Sequence, residues 1–164
     1  MRKPILLHLK LTLVFFALHY GAAIAQADFK KNDIYIEAGG NGLIYSLNYE
    51  RQLLGKPGLG LRAGAGWIPN LCLAIPLGVN YLFDLKQNNF IEAGAGVTFF
   101  KSYISLKANS WLKDADVVLT PSIGFRRHTT KNLLLRLSVL AAVHGNQRKK
   151  EVQPWLGLSI GKRF

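Results

Sequence analysis

Residues 90–100 read FIEAGAGVTFF. Ile91, Ala93, Ala95, Val97 and Phe99 alternate with Glu92, Gly94, Gly96 and Thr98. A period of two is the period of a β-strand, so the two sets lie on opposite faces. One face is apolar. The other is small or polar and carries a carboxylate.

The same grammar runs outward in both directions. Upstream it predicts strands over about 33–40, 43–51, 58–68 and 71–83. In the second of these, Leu43, Tyr45, Leu47 and Tyr49 form the apolar face. Downstream it predicts strands over about 117–126, 133–144 and 155–164. Between them lie turn-like or polar stretches: RQLLGKP, DLKQNN and RRHTTKN toward the end that holds both termini, and GGNG, IPN, KSYISLKANSWLKDAD and HGNQRKKEVQ toward the other. Eight such segments make an even-numbered, up-and-down antiparallel barrel, and each has roughly the 9–11 residues that a tilted strand needs to cross a bilayer.

The direction of the apolar face decides the class. An eight-stranded lumen has room only for side chains to fill it. Leu, Ile, Val, Tyr and Phe from every strand would overfill it, whereas Gly, Ser and Thr fit. The apolar face therefore belongs outside, against lipid, and the expectation is an all-β, eight-stranded transmembrane β-barrel. Composition agrees: 49% of residues are hydrophobic, yet beyond the N-terminus no run approaches the roughly 18 apolar residues of a membrane helix.

Residues 1–27 read as a cleavable signal peptide, leaving 28–164 as the barrel domain. Arg2 and Lys3 are followed by a short apolar run, LTLVFFAL at 11–18, and by the small-residue triplets Ala23-Ile24-Ala25 and Ala25-Gln26-Ala27. The formal net charge of +12 suits a phosphate-rich partner. Export and the lack of a helix-turn-helix, zinc-ligand or RNP-like pattern direct that expectation to anionic lipid and not to nucleic acid. Cys72 is the single cysteine, so no disulfide forms within the chain, and no cofactor or metal is implied.

With export and eight alternating strands in hand, the chain resembles the outer-membrane β-barrel protein family, the small eight-stranded barrels of Gram-negative outer membranes. The resemblance rests on IYIEAGGNGLIYSLNYER at 34–51, GLGLRAGAGW at 58–67, FIEAGAGVTFF at 90–100, PSIGF at 121–125 and PWLGLSIGKRF at 154–164. It implies a cell outer-membrane location reached through the general secretory pathway. In that resemblance, Leu156, Leu158, Ile160 and the terminal Phe164 look like the signal read by the barrel assembly machinery.

Candidate site residues follow from the inward face. Glu37, Glu50, Arg62, Glu92, Arg126 and Arg136 all fall in the terminus-side half of the lumen. Buried charges need partners, so one structural charge network centred on Arg62 and Arg136 is expected there. The far half is lined by small residues, among them Ser46, Gly64, Cys72, Gly96, Thr98 and Ala142, and is either filled by neighbours or opens as a pocket. Pro76 and Pro121 each remove a ladder donor within a strand, which reads as a bulge or as a lateral opening. His144 with Ser138 or Ser122 is the nearest approach to a hydrolytic pair, although no third group to orient the histidine is evident. His128 falls in a turn. Lys101, Lys107, Arg148, Lys149 and Lys150 would stand level with lipopolysaccharide phosphates. The function expected is a non-enzymatic outer-membrane barrel with a structural or surface, lipopolysaccharide-binding role. The alternative is a lipid-modifying enzyme or a transporter of small hydrophobic ligands with a pocket in the outer lumen.

Overall fold

The computed structural model describes residues 30–68, 72–102, 117–145 and 150–164. The signal-peptide reading therefore lies outside the described residues, as do Lys107, Arg148 and Lys149. Among the described residues there are nine strands: β1 Asn32–Gly39, β2 Tyr45–Gln52, β3 Leu59–Ile68, β4 Cys72–Asp84, β5 Asn89–Ser102, β6 Val117–Leu119, β7 Ser122–His128, β8 Leu133–Gly145 and β9 Lys150–Arg163. β6 and β7 are two pieces of one stave, interrupted at Thr120-Pro121, so the wall has eight staves. Each pairs antiparallel with its sequence neighbour, and β1 pairs antiparallel with β9. The sheet is thus a closed barrel with no free edge along that seam, where Phe164 N donates to Asn32 O at 2.8 Å and Asn32 N to Phe164 O at 3.1 Å.

Alternation sets inside from outside along every stave. Leu77, Ile123, Leu137 and Leu158 are 40, 60, 51 and 61% exposed. Their sequence neighbours face the lumen or are small. Aromatic side chains gather toward the two ends of the outer surface: Tyr45, Trp67 and Phe99 toward the far end, Tyr49, Tyr81, Phe83 and Phe164 toward the terminus end. An apolar band between aromatic girdles is the surface a bilayer requires. The turn between β4 and β5 is made by Lys86, Gln87 and Asn88, all at positive φ.

Neither proline makes a bulge. Pro121 interrupts the ladder, yet Leu119 and Ser122 pair with Val143 and Leu140 in one unbroken register, and Pro121 O accepts from Ala141 N at 3.1 Å. Pro76 still pairs with Thr98, and on its other side the β3–β4 register resumes unshifted from Ala63↔Leu77 to Gly66↔Ala74. A proline removes a donor without adding a residue, so the ladder loses a rung and keeps its count.

The hairpin between β1 and β2 departs most from expectation. Its residues do not project from the barrel. Gly40–Gly42 form a 3-10 turn that is wholly buried. Leu43, assigned by alternation to the outward face of the second strand, has φ 68° and is 0% exposed inside the lumen.

Candidate functional site

The lumen has two filled storeys. The storey nearer the termini is ionic, and its centre is Arg126. This guanidinium takes Glu50 in a bidentate pair at 2.6 and 2.7 Å. Its Nε donates to Glu92 at 2.9 Å, and Nη1 lies 3.4 Å from Asp33. Arg136 binds Glu37, reaches Glu92 at 3.2 Å and lies over the Tyr35 ring, 4.9 Å from its centroid. A planar fork that satisfies several carboxylates at once is what arginine offers and lysine does not. Gln52 and Asn80 donate to Glu50 and Glu92 at 2.9 and 3.2 Å, which fills remaining lone pairs.

All six residues assigned to the network from sequence lie in the lumen, but it is not centred as expected. Arg62 stands at its margin. Its Nη1 is 4.0 Å from Glu92, and its Nε and Nη2 have no hydrogen-bond partner among the described residues. The stagger of the staves, which alternation does not encode, brings Arg126 to the middle instead. Asp33, Tyr35 and Gln52 belong to the same storey and were not singled out from the sequence. His128 is not a turn residue. It ends β7, is buried, and lies 3.0 Å from Arg163 and 3.6 Å from Asp33. With Leu82, Phe90 and Leu134 it floors the lumen.

The far storey is apolar and is filled by the chain's own turn. Leu43 packs with Cys72, Ala74, Phe100, Val118, Leu140 and Ala142, and Ile44 and Trp155 lean on the cluster. Four contacts seat the turn. Asn41 N donates to Glu37 at 3.1 Å, Thr98 Oγ1 donates to Asn41 O, Trp155 Nε1 donates to Leu43 O at 2.9 Å, and Gly39 N donates to Ile44 O at 2.7 Å. Ile44 N also donates to Gly42 O at 2.8 Å across Leu43, whose φ 68° and ψ −55° are those of the strained form of γ-turn. Such a backbone costs about 1–3 kcal/mol, much the same as the roughly 1.5–3 kcal/mol gained by burying a leucine side chain. The four hydrogen bonds then tip the balance toward the seated form. Asn41 Nδ2 and Thr120 Oγ1 are also buried there without a partner among the described residues. Gly96 leaves room beneath the turn, since a Cβ there would crowd the Asn41 side-chain amide.

The hydrolytic pair is not assembled. Ser138 lies six residues below His144 on β8, roughly 20 Å at about 3.3 Å per residue. Ser122 pairs with Leu140, also well below His144. The structure does place Glu151 across from His144, with Nε2 and Oε2 3.8 Å apart, a carboxylate beside the histidine but beyond hydrogen-bond distance. Of the basic residues assigned to the surface, Lys101 is exposed near the end of β5 and Lys150 begins β9. Leu156, Leu158, Ile160 and Phe164 form one exposed row on the outside of the closing strand.

No family model matches the sequence, and no curated protein matches it. Likeness appears among solved structures. The designed transmembrane β-barrel TMB2.3 superposes with a TM-score of 0.53 at 17% identity, covering 85% of this chain and 98% of that one. A second de novo designed transmembrane β-barrel gives 0.52 at 14% identity, over 85% and 100%. The Yersinia pestis outer membrane protein Ail gives 0.46 at 12% identity, over 82% and 99%. Identities this low speak to fold alone, and the two designed proteins have the fold found here. The chain is an all-β protein of the eight-stranded transmembrane β-barrel class.

Proposed function

We propose that this chain is an integral protein of the cell outer membrane, non-enzymatic, with a structural or surface-interaction role. The observation that carries this reading is the combination of a girdled apolar exterior with a lumen filled at both storeys. Ion pairs fill one storey and the chain's own turn fills the other, which suits a rigid anchor better than a conduit. The N-terminal residues read as an export signal, and the row ending in Phe164 supports recognition by the barrel assembly machinery. The basic stretch at 148–150, with Lys101 and Lys107, suits lipopolysaccharide phosphates.

The test is biogenesis. The full chain should fractionate with outer membranes and migrate faster unheated than boiled. Deleting Phe164 should sharply reduce the heat-modifiable form, because the assembly row loses its end. Unchanged membrane yield and migration after that deletion would overturn the assembly reading.

A further inference from the structure

We propose that the far storey of the lumen is a binding site for one hydrocarbon chain of a membrane lipid. The chain enters sideways from the bilayer, and Leu43 holds its place in the closed form. The proposal rests on the reading that the barrel is embedded in a membrane.

Three observations converge on it. The first is a notch in the wall. β1 ends at Gly39, whose partner on β9 is Gly157, and β2 begins at Tyr45. β9 continues beyond that level through Lys150–Leu156 and is paired there with β8 alone among the described strands. Where β1 and β2 would have continued, the turn at 40–44 dips inward instead. The second is the outer surface at the notch. Ala38, Gly39, Val139, Pro154, Trp155, Leu156 and Leu158 line an open apolar groove of about 610 Å³, continuous with the lipid-facing belt. The third is what lies behind the groove. Trp155 and the turn separate it from the berth formed by Cys72, Ala74, Phe100, Val118, Leu140 and Ala142.

The occupant follows from the berth. Its walls are largely hydrocarbon, the polar groups beside it being the Cys72 thiol and the Thr98 and Thr120 hydroxyls, and what fills it now is a branched alkyl side chain. Water would find few partners there, so a vacated berth would favour an apolar guest. The bilayer is the nearest source of one. The seated turn carries two defects: its backbone is strained at Leu43, and Asn41 Nδ2 is buried without a partner among the described residues. Both defects are relieved when it swings out, at the cost of the four hydrogen bonds that seat it.

Cys72, the single cysteine and buried in the berth, reports on access. The full chain is folded into phosphatidylcholine vesicles, with insertion verified by heat-modifiable migration. It is then exposed either to dodecyl methanethiosulfonate, which partitions into the bilayer, or to the charged 2-sulfonatoethyl methanethiosulfonate in the water. The expected result is that Leu43→Ala raises the rate of dodecyl labelling at least tenfold and leaves the charged reagent slow. Trp155→Phe, which removes the bond to Leu43 O but keeps an aromatic ring, should raise dodecyl labelling in the same sense if Leu43→Ala fails to fold. Equal acceleration of both reagents would mean entry from the aqueous mouth and would overturn lateral loading. No acceleration in either folded variant would overturn the site. Failure of the native chain to insert would overturn the membrane reading as well, and is seen before any labelling begins.

Discussion

Removing Arg126 leaves two carboxylates, Glu50 and Glu92, without the cation that holds them both. A buried charge stripped of its partner costs about 3–5 kcal/mol where the site is dry. Arg126→Ala should therefore lower stability by about that much in urea unfolding from vesicles, followed by tryptophan fluorescence. Arg126→Leu combined with Glu50→Leu should recover part of the loss, since the orphaned charge is then gone. Arg62→Met should cost far less, because Arg62 stands 4.0 Å from Glu92 at the margin. Equal losses at Arg62 and Arg126 would contradict this ranking. At this scale the sequence is only half legible. Alternation assigns Arg62, Arg126 and Arg136 to the same side of the wall, but which of them meets two acids depends on the stagger between staves. Leu43 is less legible still. Its neighbours Tyr45 and Leu47 share its phase and do face outward, while a positive φ at a leucine leaves no mark in the pattern.

At the scale of the strand, one face meets lipid and the other lines the lumen. Leu77 is outward and lies partway along β4, between Pro76 and the inward-facing small residue Gly78. Leu77→Arg should cost about 2–4 kcal/mol if the side chain sits near the bilayer midplane. Gly78 is an unsuitable inward control, because a Cβ there would come within 2.7 Å of Arg62 Nε and 3.0 Å of Ala95 O. Ser122→Ala, which shortens an inward side chain, should cost under about 1 kcal/mol. Comparable losses in the same unfolding assay would mean that the apolar face is not the lipid face. Strand existence and facing were readable because a period of two persists over 8 to 14 residues in seven of the staves. The inward β1–β2 turn was not readable: GGNG has the composition of any tight hairpin, and what draws it inside is a berth built by strands far away in the chain.

Over the whole molecule, a lumen filled from floor to far storey should carry no steady current. In planar bilayers the intact protein is expected to show negligible conductance, and Arg126→Ala some leak, because the removed side chain spans the ionic storey between Glu50, Glu92 and Asp33. A sustained, ion-selective current through the intact protein would point to a relay or channel and sink the anchor reading. The closed topology was foreseeable from an even number of segments with both termini at one end. The fill of the far storey was not, since small residues there were equally compatible with a pocket.

The seated turn also constrains the order in which the molecule can be made. β1 and β2 can pair as soon as they exist, since a short hairpin closes locally and quickly. Leu43 has no berth at that moment. Val118, Leu140, Ala142 and Trp155 belong to the last staves, and the bond from Trp155 to Leu43 spans 112 positions of sequence. Until the final strand docks against the first, the berth is incomplete and the bond from Trp155 to Leu43 O is missing. Full seating of the tip therefore depends on closure of the barrel. It certifies that all eight staves are present and in register, because a slip of one residue would turn Val118 or Ala142 out of the berth.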